Sequence, residues 1–595
     1  MTTTTMPSVS SRAATLESLL GSLDDPANPV GRDALLTSDE HWELVGEGEE
    51  RLAKFGIGAE LVPVRFGGRF ETLDGLGRIL RPVFRRDPAL GFSSALLSFI
   101  ASSMVWLEGT EEQCGLLAQM LLGDERVTLV RREEAHANDL TREELSVAAE
   151  PDGWILNGYK SAIANADRAR GLVVMARQED GEGPGAYSVL LMDREALPDL
   201  CIEELPRYPT VGMRGCWFGG LEFVDCPLPP EALVGEAGKA VQIGLRGSGL
   251  VRGLVVATQI ASGDTILRTA VRFVDENGEA GQRGQASGHE TTVLSGALLD
   301  TLIGDCLALA ACRAVHLVPE DSLAVAAAAA YVVPKLLAEA SDNLTVVLGN
   351  AQFMTTGPYG LFQKHLRDLP VTGLGHSGSA GRQATMVASL PRFAERSWFR
   401  APEPDPALFE IGGELPPLAL ERLTKVVGDT DPLAAALLGG ARMLGTYVPP
   451  GGDRRQVAKL RTIVDLFVAE LDGLRRACAE LGAQGRQALM TPQSYALADR
   501  YALVCAGAAV LGVWRNQLGD VGGSGSSGSA GSAGSVGDAF LADPRWVVGA
   551  LTRLGKRLDL NLPATAADYE EWVLEEAFRR YRGNLSFDLY GTRLA

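Results

Sequence analysis

His376 lies in the glycine-rich run Gly373-Leu-Gly-His-Ser-Gly-Ser379. An imidazole changes charge near neutral pH, so it is a competent base there. Glycines let the backbone of such a loop come close to a ligand. Arg252 opens a helical stretch, and an arginine can anchor a phosphate through two parallel N–H bonds. The six histidines and eight cysteines are scattered, with no C-x-x-C pair and no H-E-x-x-H, so no metal site is expected.

A chain of 595 residues with 46% hydrophobic content is long and apolar enough for several domains with a large core. Its net charge of −20 argues against nucleic acid and anionic membrane as main partners. Eight cysteines in such a length are expected to be reduced and mostly buried, as in a cytoplasmic protein. The first ten residues carry no apolar stretch of the kind a signal peptide needs. The most apolar run, 323–333, stops at Pro334 and is too short to span a bilayer, so it reads as a buried core helix.

The elements that must position these residues fall into blocks. Residues 1–11 read as a disordered tail, and 12–125 as a helical domain in which Leu16, Leu19, Leu20 and Leu23 recur at helical spacing. Over 126–237 the pattern has period two: strands at 172–176 and 187–192 flank a turn at 179–185. Trp154-Ile-Leu-Asn-Gly-Tyr-Lys160 reads as strand, tight turn at Asn157 and Gly158, and second strand. Helical period returns over 238–398, with long helices at 250–261, 294–317, 322–347 and 383–394, as in a four-helix bundle. Residues 399–595 open on the linker-like run Pro402-Glu-Pro-Asp-Pro406. Helices are expected there at 418–427, 432–444, 455–481, 491–517 and 539–582, with a flexible Gly/Ser tether at 521–537.

Several of these pieces resemble the acyl-CoA dehydrogenase superfamily when taken together. Glu133-Glu-Ala-His-Ala-Asn-Asp139 stands where the family has T-E-P-x-A-G-S-D. The 154–165 segment stands where it has G-x-K-x-W-I-[TS]-N, and Val211-Gly-Met-Arg-Gly215 through Leu221-Glu-Phe-Val-Asp-Cys-Pro227 where it has G-x-R-x-S…F-x-x-V-x-V-P. Upstream, Gly109-Thr-Glu-Glu-Gln113 and Val62-Pro63 with Gly67-Gly68 are similar to its helical domain. Arg367-Asp368 precedes the 373–379 loop as the family's R-D does its catalytic loop. The resemblance covers 12–398, about two thirds of the chain. It implies an α+β, acyl-CoA dehydrogenase-like fold: N-terminal helical domain, middle β domain, C-terminal four-helix bundle, plus an extra all-α C-terminal extension.

It also implies FAD as cofactor and α,β-desaturation of an acyl thioester carried on CoA or on an acyl carrier protein. A base takes the α-proton while a hydride leaves the β-carbon. The chain departs from the family at the base: His376 stands where the loop Glu is usual, and Val251 stands at the alternative position before Arg252. The resemblance therefore makes His376 the candidate base and Arg252 a candidate substrate anchor. Its candidate cofactor-binding positions are Arg132, Asn138, Asp139, Ala162, Ala164, Arg283, Ser377 and Ser379. Ala162 replaces the family's Trp against the flavin, Ala164 its hydroxyl residue near N5, and Arg283 is the stand-in for an absent R-x-x-F-G. Arg214 is expected to hold the β domain to the helices.

Three readings stay open on these residues. The first is a flavin-dependent acyl thioester dehydrogenase with a histidine base. The second is a flavin monooxygenase on the same fold. The third is a non-catalytic subunit of a hetero-oligomer. The family implies a homodimer or homotetramer, with an electron-transferring flavoprotein or oxygen as electron acceptor.

Overall fold

Apolar residues at every third or fourth position build the N-terminal helices α1 (Val9–Leu20), α2 (Arg32–Glu40), α3 (Gly46–Phe55), α4 (Leu73–Arg86), α5 (Leu97–Glu108) and α6 (Glu111–Leu122). A capping box starts α6: the Thr110 hydroxyl accepts from Gln113 N, and the Gln113 side chain accepts from Thr110 N. The structure is a computed structural model that describes all residues except 1–5, 132–143, 199, 278–285, 373–376, 450–453, 523–538 and 565–568.

The middle of the chain is an eight-stranded mixed sheet: β1 (Val127–Val130), β2 (Ser146–Glu150), β3 (Gly153–Ala164), β4 (Gly171–Gln178), β5 (Tyr187–Asp193), β6 (Ile202–Leu205), β7 (Phe218–Leu228) and β8 (Leu233–Val234). Its order is β6-β7-β3-β2-β4-β5-β8, with β1 parallel to β4. The turn expected at Asn157 and Gly158 is absent; the chain runs through as one strand. The Asn157 side chain is occupied across the sheet, donating from Nδ2 to Asp225 Oδ1 (3.1 Å) and accepting from Asp225 N (2.7 Å). Gly158, at φ +112°, takes up a register shift against β7 instead of reversing the chain. One face of the sheet joins the core of the helices, and the other closes a separate core around Leu156, Phe223 and Leu190.

The long helices after the sheet are α7 (Ala240–Asn277), α8 (Gly288–Leu317) and α9 (Ser322–Leu348), followed by α10 (Gly357–Thr372) and α11 (Ser377–Val387). The helix expected at 250–261 is thus one part of a helix more than three times as long. The one expected at 383–394 ends at Val387, where Ser389 N turns back to Met386 O and a short Leu390–Arg392 turn follows. Five helical stretches are apolar and long enough to cross a membrane, but 72–94% of each apolar window is buried inside the molecule. Residues 323–333 are among them and form the bundle core.

The extension adds α12 (Pro432–Thr446), α13 (Arg454–Ala483), α14 (Pro492–Gly522), α15 (Pro544–Arg557) and α16 (Glu570–Arg582). Asp431 and Asp543 cap α12 and α15 at the residue before a proline. Two expectations fail here. Residues 418–427 form a mostly extended strap with one tight turn, because Arg246 takes the carbonyls of Leu420 and Leu423 and Arg392 takes that of Val427. The proline run at 402–406 is fixed to its surroundings: Glu403 pairs with Arg442 (2.8 Å) and Arg515 (3.1 Å), and Arg313 Nε donates to Ala407 O at 2.5 Å. Tether residues 523–537 lie outside the described residues. Extension, bundle and N-terminal helices share one continuous core.

A buried ionic joint ties the C-terminal tail to that core. Asp588 lies 3.1 Å from Arg81 and 3.5 Å from Arg85, and Arg81 also pairs with Asp305. Arg85 reaches Glu17 (3.0 Å) and Asp264 (3.2 Å). The tail backbone joins in: Phe587 N donates to Asp264 at 3.0 Å and Leu589 N to Asp305 at 2.8 Å. Burial pushes the Asp588 carboxyl up, but Arg81 and Arg85 outweigh it and hold it well below the usual carboxylate range.

Candidate functional site

β2 pairs with β3 only over 153–157, whereas β7 pairs with β3 along nearly its whole length. Among the described residues, the second half of β3 is therefore laddered on one side alone. Its other edge faces the end of β1, from which the chain leaves at Val130 and returns at β2. Thr128 Oγ1 donates to Ala164 O at 2.7 Å, and Val127 N donates to Ser98 Oγ at 3.1 Å. Asn165, in the left-handed region at φ 58°, exchanges bonds with Ser93 through its Oδ1 (2.5 Å) and Nδ2 (2.8 Å). Arg168 completes the corner by donating to Ser93 Oγ (2.7 Å) and Glu49 (3.1 Å). Ala162 is partly exposed on this edge, and Ala164 is buried in the core that continues into the helices.

A second contact pins the sheet to the bundle. In the hook 211–215, Gly212 passes so close to α10 that a Cβ there would sit 2.1 Å from the Arg367 carbonyl oxygen. Met213 N then donates to Asp368 Oδ1. Lys364, fully buried, bonds Asp368 and Asp87 at 2.7 Å each, and Arg367 bonds Asp39 at 2.7 Å. Burial pushes the Lys364 ammonium down, but Asp368, Asp87 and Asp39 outweigh it and raise it above its usual value. Arg214 lies 3.7 Å from Asp39 and over the Trp42 ring at 5.4 Å, so it links the sheet to the N-terminal helices.

His365 is enclosed in the same joint, where burial first, then Lys364, pushes its imidazole down to about 3. It is neutral in the folded chain, while the unfolded chain binds its proton below about pH 6.5. Stability is therefore expected to fall with pH below about 6.5, by about 1.4 kcal/mol for each pH unit down to the folded value. His316, lowered by burial, adds to the slope in the same sense. Denaturation midpoints of His365→Leu at pH 7.5 and 5.5 should differ by less than those of the natural chain; equal differences would remove His365 as the source.

Of the residues singled out by type and spacing, Arg132, Asn138, Asp139, Arg283 and His376 lie outside the described residues. Ser377 opens α11 and Ser379 is half-buried on it. Arg252, on α7, donates to Thr385 Oγ1 of α11 at 3.4 Å and pairs with no carboxylate among the described residues. Burial and then the like charge of Arg382 push its guanidinium down to about 10. Ala162 and Ala164 both lie on β3, and Arg252 meets α11, the helix whose first residue follows His376 in the chain. Lys364 and Asp368 carry no local pattern beyond the Arg367-Asp368 pair, since their partners Asp87 and Met213 are distant in sequence.

Residues 133–226 match the family model of the acyl-CoA dehydrogenase middle domain. Mitochondrial isovaleryl-CoA dehydrogenase of Oryza sativa subsp. japonica is 23% identical over 43% of the chain and 60% of its own length. The chain thus spans about three fifths of that relative. A solved acyl-CoA dehydrogenase complexed with FAD from Bacillus anthracis superposes at a TM-score of 0.66, with 15% identity, over 97% of this chain and 92% of that one. That superposition takes in the extension. The prolyl acyl carrier protein oxidase AnaB gives 0.55 with 16% identity over 64% of this chain and 97% of its own. Residues 133–226 thus carry the acyl-CoA dehydrogenase middle domain, and the chain has the acyl-CoA dehydrogenase fold.

Proposed function

We propose that the chain is an FAD-dependent oxidoreductase acting on an acyl thioester, with His376 in place of the usual glutamate base. The observation that carries this reading is the match of 133–226 to the acyl-CoA dehydrogenase middle domain, whose β3 ends beside β1 against the helices. Ala162 and Ala164 are small side chains on that strand, which suits a planar ring lying against it. The flavin, when bound, supplies the hydride acceptor. The chain's own residues do the rest. The Thr128, Asn165 and Ser93 bonds fix the end of β3, and the apolar helices keep water out. His376 takes the α-proton, and Arg252 orients the anionic arm of the substrate. The substrate is an acyl group on CoA or on an acyl carrier protein. The electrons pass to an electron-transferring flavoprotein or to oxygen, and the working unit is a homodimer or tetramer.

One observation favours a second reading, a non-catalytic subunit of a hetero-oligomer. Neither Ala162 nor Ala164 offers the aromatic face or the hydroxyl that the family places there. Mixing the purified chain with excess FAD, removing unbound cofactor and recording the visible spectrum separates the two. The expected result is a retained flavin band that an acyl thioester bleaches. No retained flavin overturns the first reading in favour of the second.

A further inference from the structure

The extension meets the candidate site through one carboxylate. Asp499 lies on α14, which packs on both α9 and α11. Its Oδ1 accepts from the Tyr331 hydroxyl on α9 and from Gln383 Nε2 on α11, the latter at 2.5 Å. Gln383 Nε2 is also 3.3 Å from the Tyr331 oxygen, so three helices converge on one cluster. Lys335 Nζ sits 3.7 Å above the Tyr331 ring, next to the carboxylate. Burial, then the bond to Asp499, raises the Tyr331 phenol above its usual value, so it stays a donor. The neighbouring residue Arg382 donates to Ala330 O at 2.7 Å. Consecutive residues of α11 are thereby registered against consecutive residues of α9. Two positions further on, Thr385 receives Arg252 from α7.

We infer that Asp499 is a positioning residue: the extension's carboxylate fixes the placement of α11, and with it the Arg252 contact, beside the candidate site. Its consequence for turnover rests on the function proposed above; its consequence for α11 does not. The physical reason is geometric. α11 is short, with eleven residues, and begins directly after 373–376. Its polar ties to the bundle also include a bond to a backbone carbonyl and a 3.4 Å bond to Arg252. A carboxylate that accepts from both α9 and α11 sets the distance between them, and a shift of about 1 Å at a reacting group costs as much as about a hundredfold in rate.

The test compares full-length Asp499→Ala and Asp499→Asn with the natural chain. Asparagine keeps an oxygen that can accept from Tyr331 and Gln383, whereas alanine does not. Hydrogen exchange of residues 379–387 is expected to rise about tenfold or more in Asp499→Ala and to stay near the natural rate in Asp499→Asn, with α7 and α8 unchanged in both. With FAD bound, flavin reduction by an acyl thioester should slow and apparent substrate affinity should weaken in Asp499→Ala, with both recovering in Asp499→Asn. Unchanged exchange in α11, or a rise spread evenly over α7, α8 and α14, overturns the proposal. Should Asp499→Ala fail to fold, Gln383→Leu removes only the α11 arm and carries the same comparison. If no thioester reduces the flavin of the natural chain, the function proposed above falls, while the exchange result still decides the role of Asp499.

Discussion

Asp588→Ala is expected to destabilise the chain by about 3–5 kcal/mol at neutral pH, the usual cost of removing one partner from a buried ionic group. The arginines left behind cannot turn to water. Arg81 and Arg85 are 3% and 6% exposed, and both are committed to further carboxylates from α1, α7 and α8. The same substitution frees the 586–591 turn, which Asp588 organises by accepting from Ser586, Tyr590 and Gly591. Because the two arginines depress its folded-state pKa, the contribution of Asp588 is fully present above its unfolded value near 3.9 and is lost as pH falls through the lower folded one. The comparison variant is Arg582→Gln, which breaks the exposed pair with Asp275 and should cost about 0–1 kcal/mol. Denaturant unfolding of both at pH 7 decides the matter: equal midpoints would show that the buried carboxylate does not anchor the tail.

His376→Ala is expected to lower turnover by about 10²–10⁴-fold, the range that a positioned base supplies, while the visible flavin spectrum of the loaded protein is unchanged. The two readouts separate proton abstraction from cofactor binding, because the candidate cofactor positions Ala162 and Ala164 lie on β3, more than two hundred residues before residue 376 in the chain. Added imidazole should restore part of the activity if the lost group is only a base. Unchanged turnover removes His376 from the chemistry.

Much of the fold was legible because its signals are local. The strands at 172–176 and 187–192 and the long apolar helices around 294–317 and 322–347 are all written within a few turns of chain. So is the order of the middle-domain motifs, which carried the family assignment. The candidate site was legible only in part. Ala162 and Ala164 could be placed on one strand, but its continuity through Asn157 and Gly158 depended on β7, more than sixty residues downstream, which supplies the ladder and the Asp225 partner. An Asn-Gly pair favours a turn only when no strand is there to pair with it.

What the tertiary structure alone decided is a matter of long-range electrostatics and packing. Arg81, Asp305 and Asp588 are spread across the chain, and no spacing rule connects them; they meet because a buried charge must find its opposite wherever the fold brings one. The strap at 418–427 has helix-forming residues, yet Arg246 and Arg392 take its carbonyls and hold it extended. Asp499 reads in sequence as one more solvated charge on an amphipathic helix. Only the packing of α14 across α9 and α11 turns it toward Tyr331 and Gln383. The sequence by itself determined most of the elements and their order, because backbone periodicity acts over a few residues. The tertiary structure decided which charges are buried and which helix the extension supports, because those depend on contacts between residues far apart in the chain.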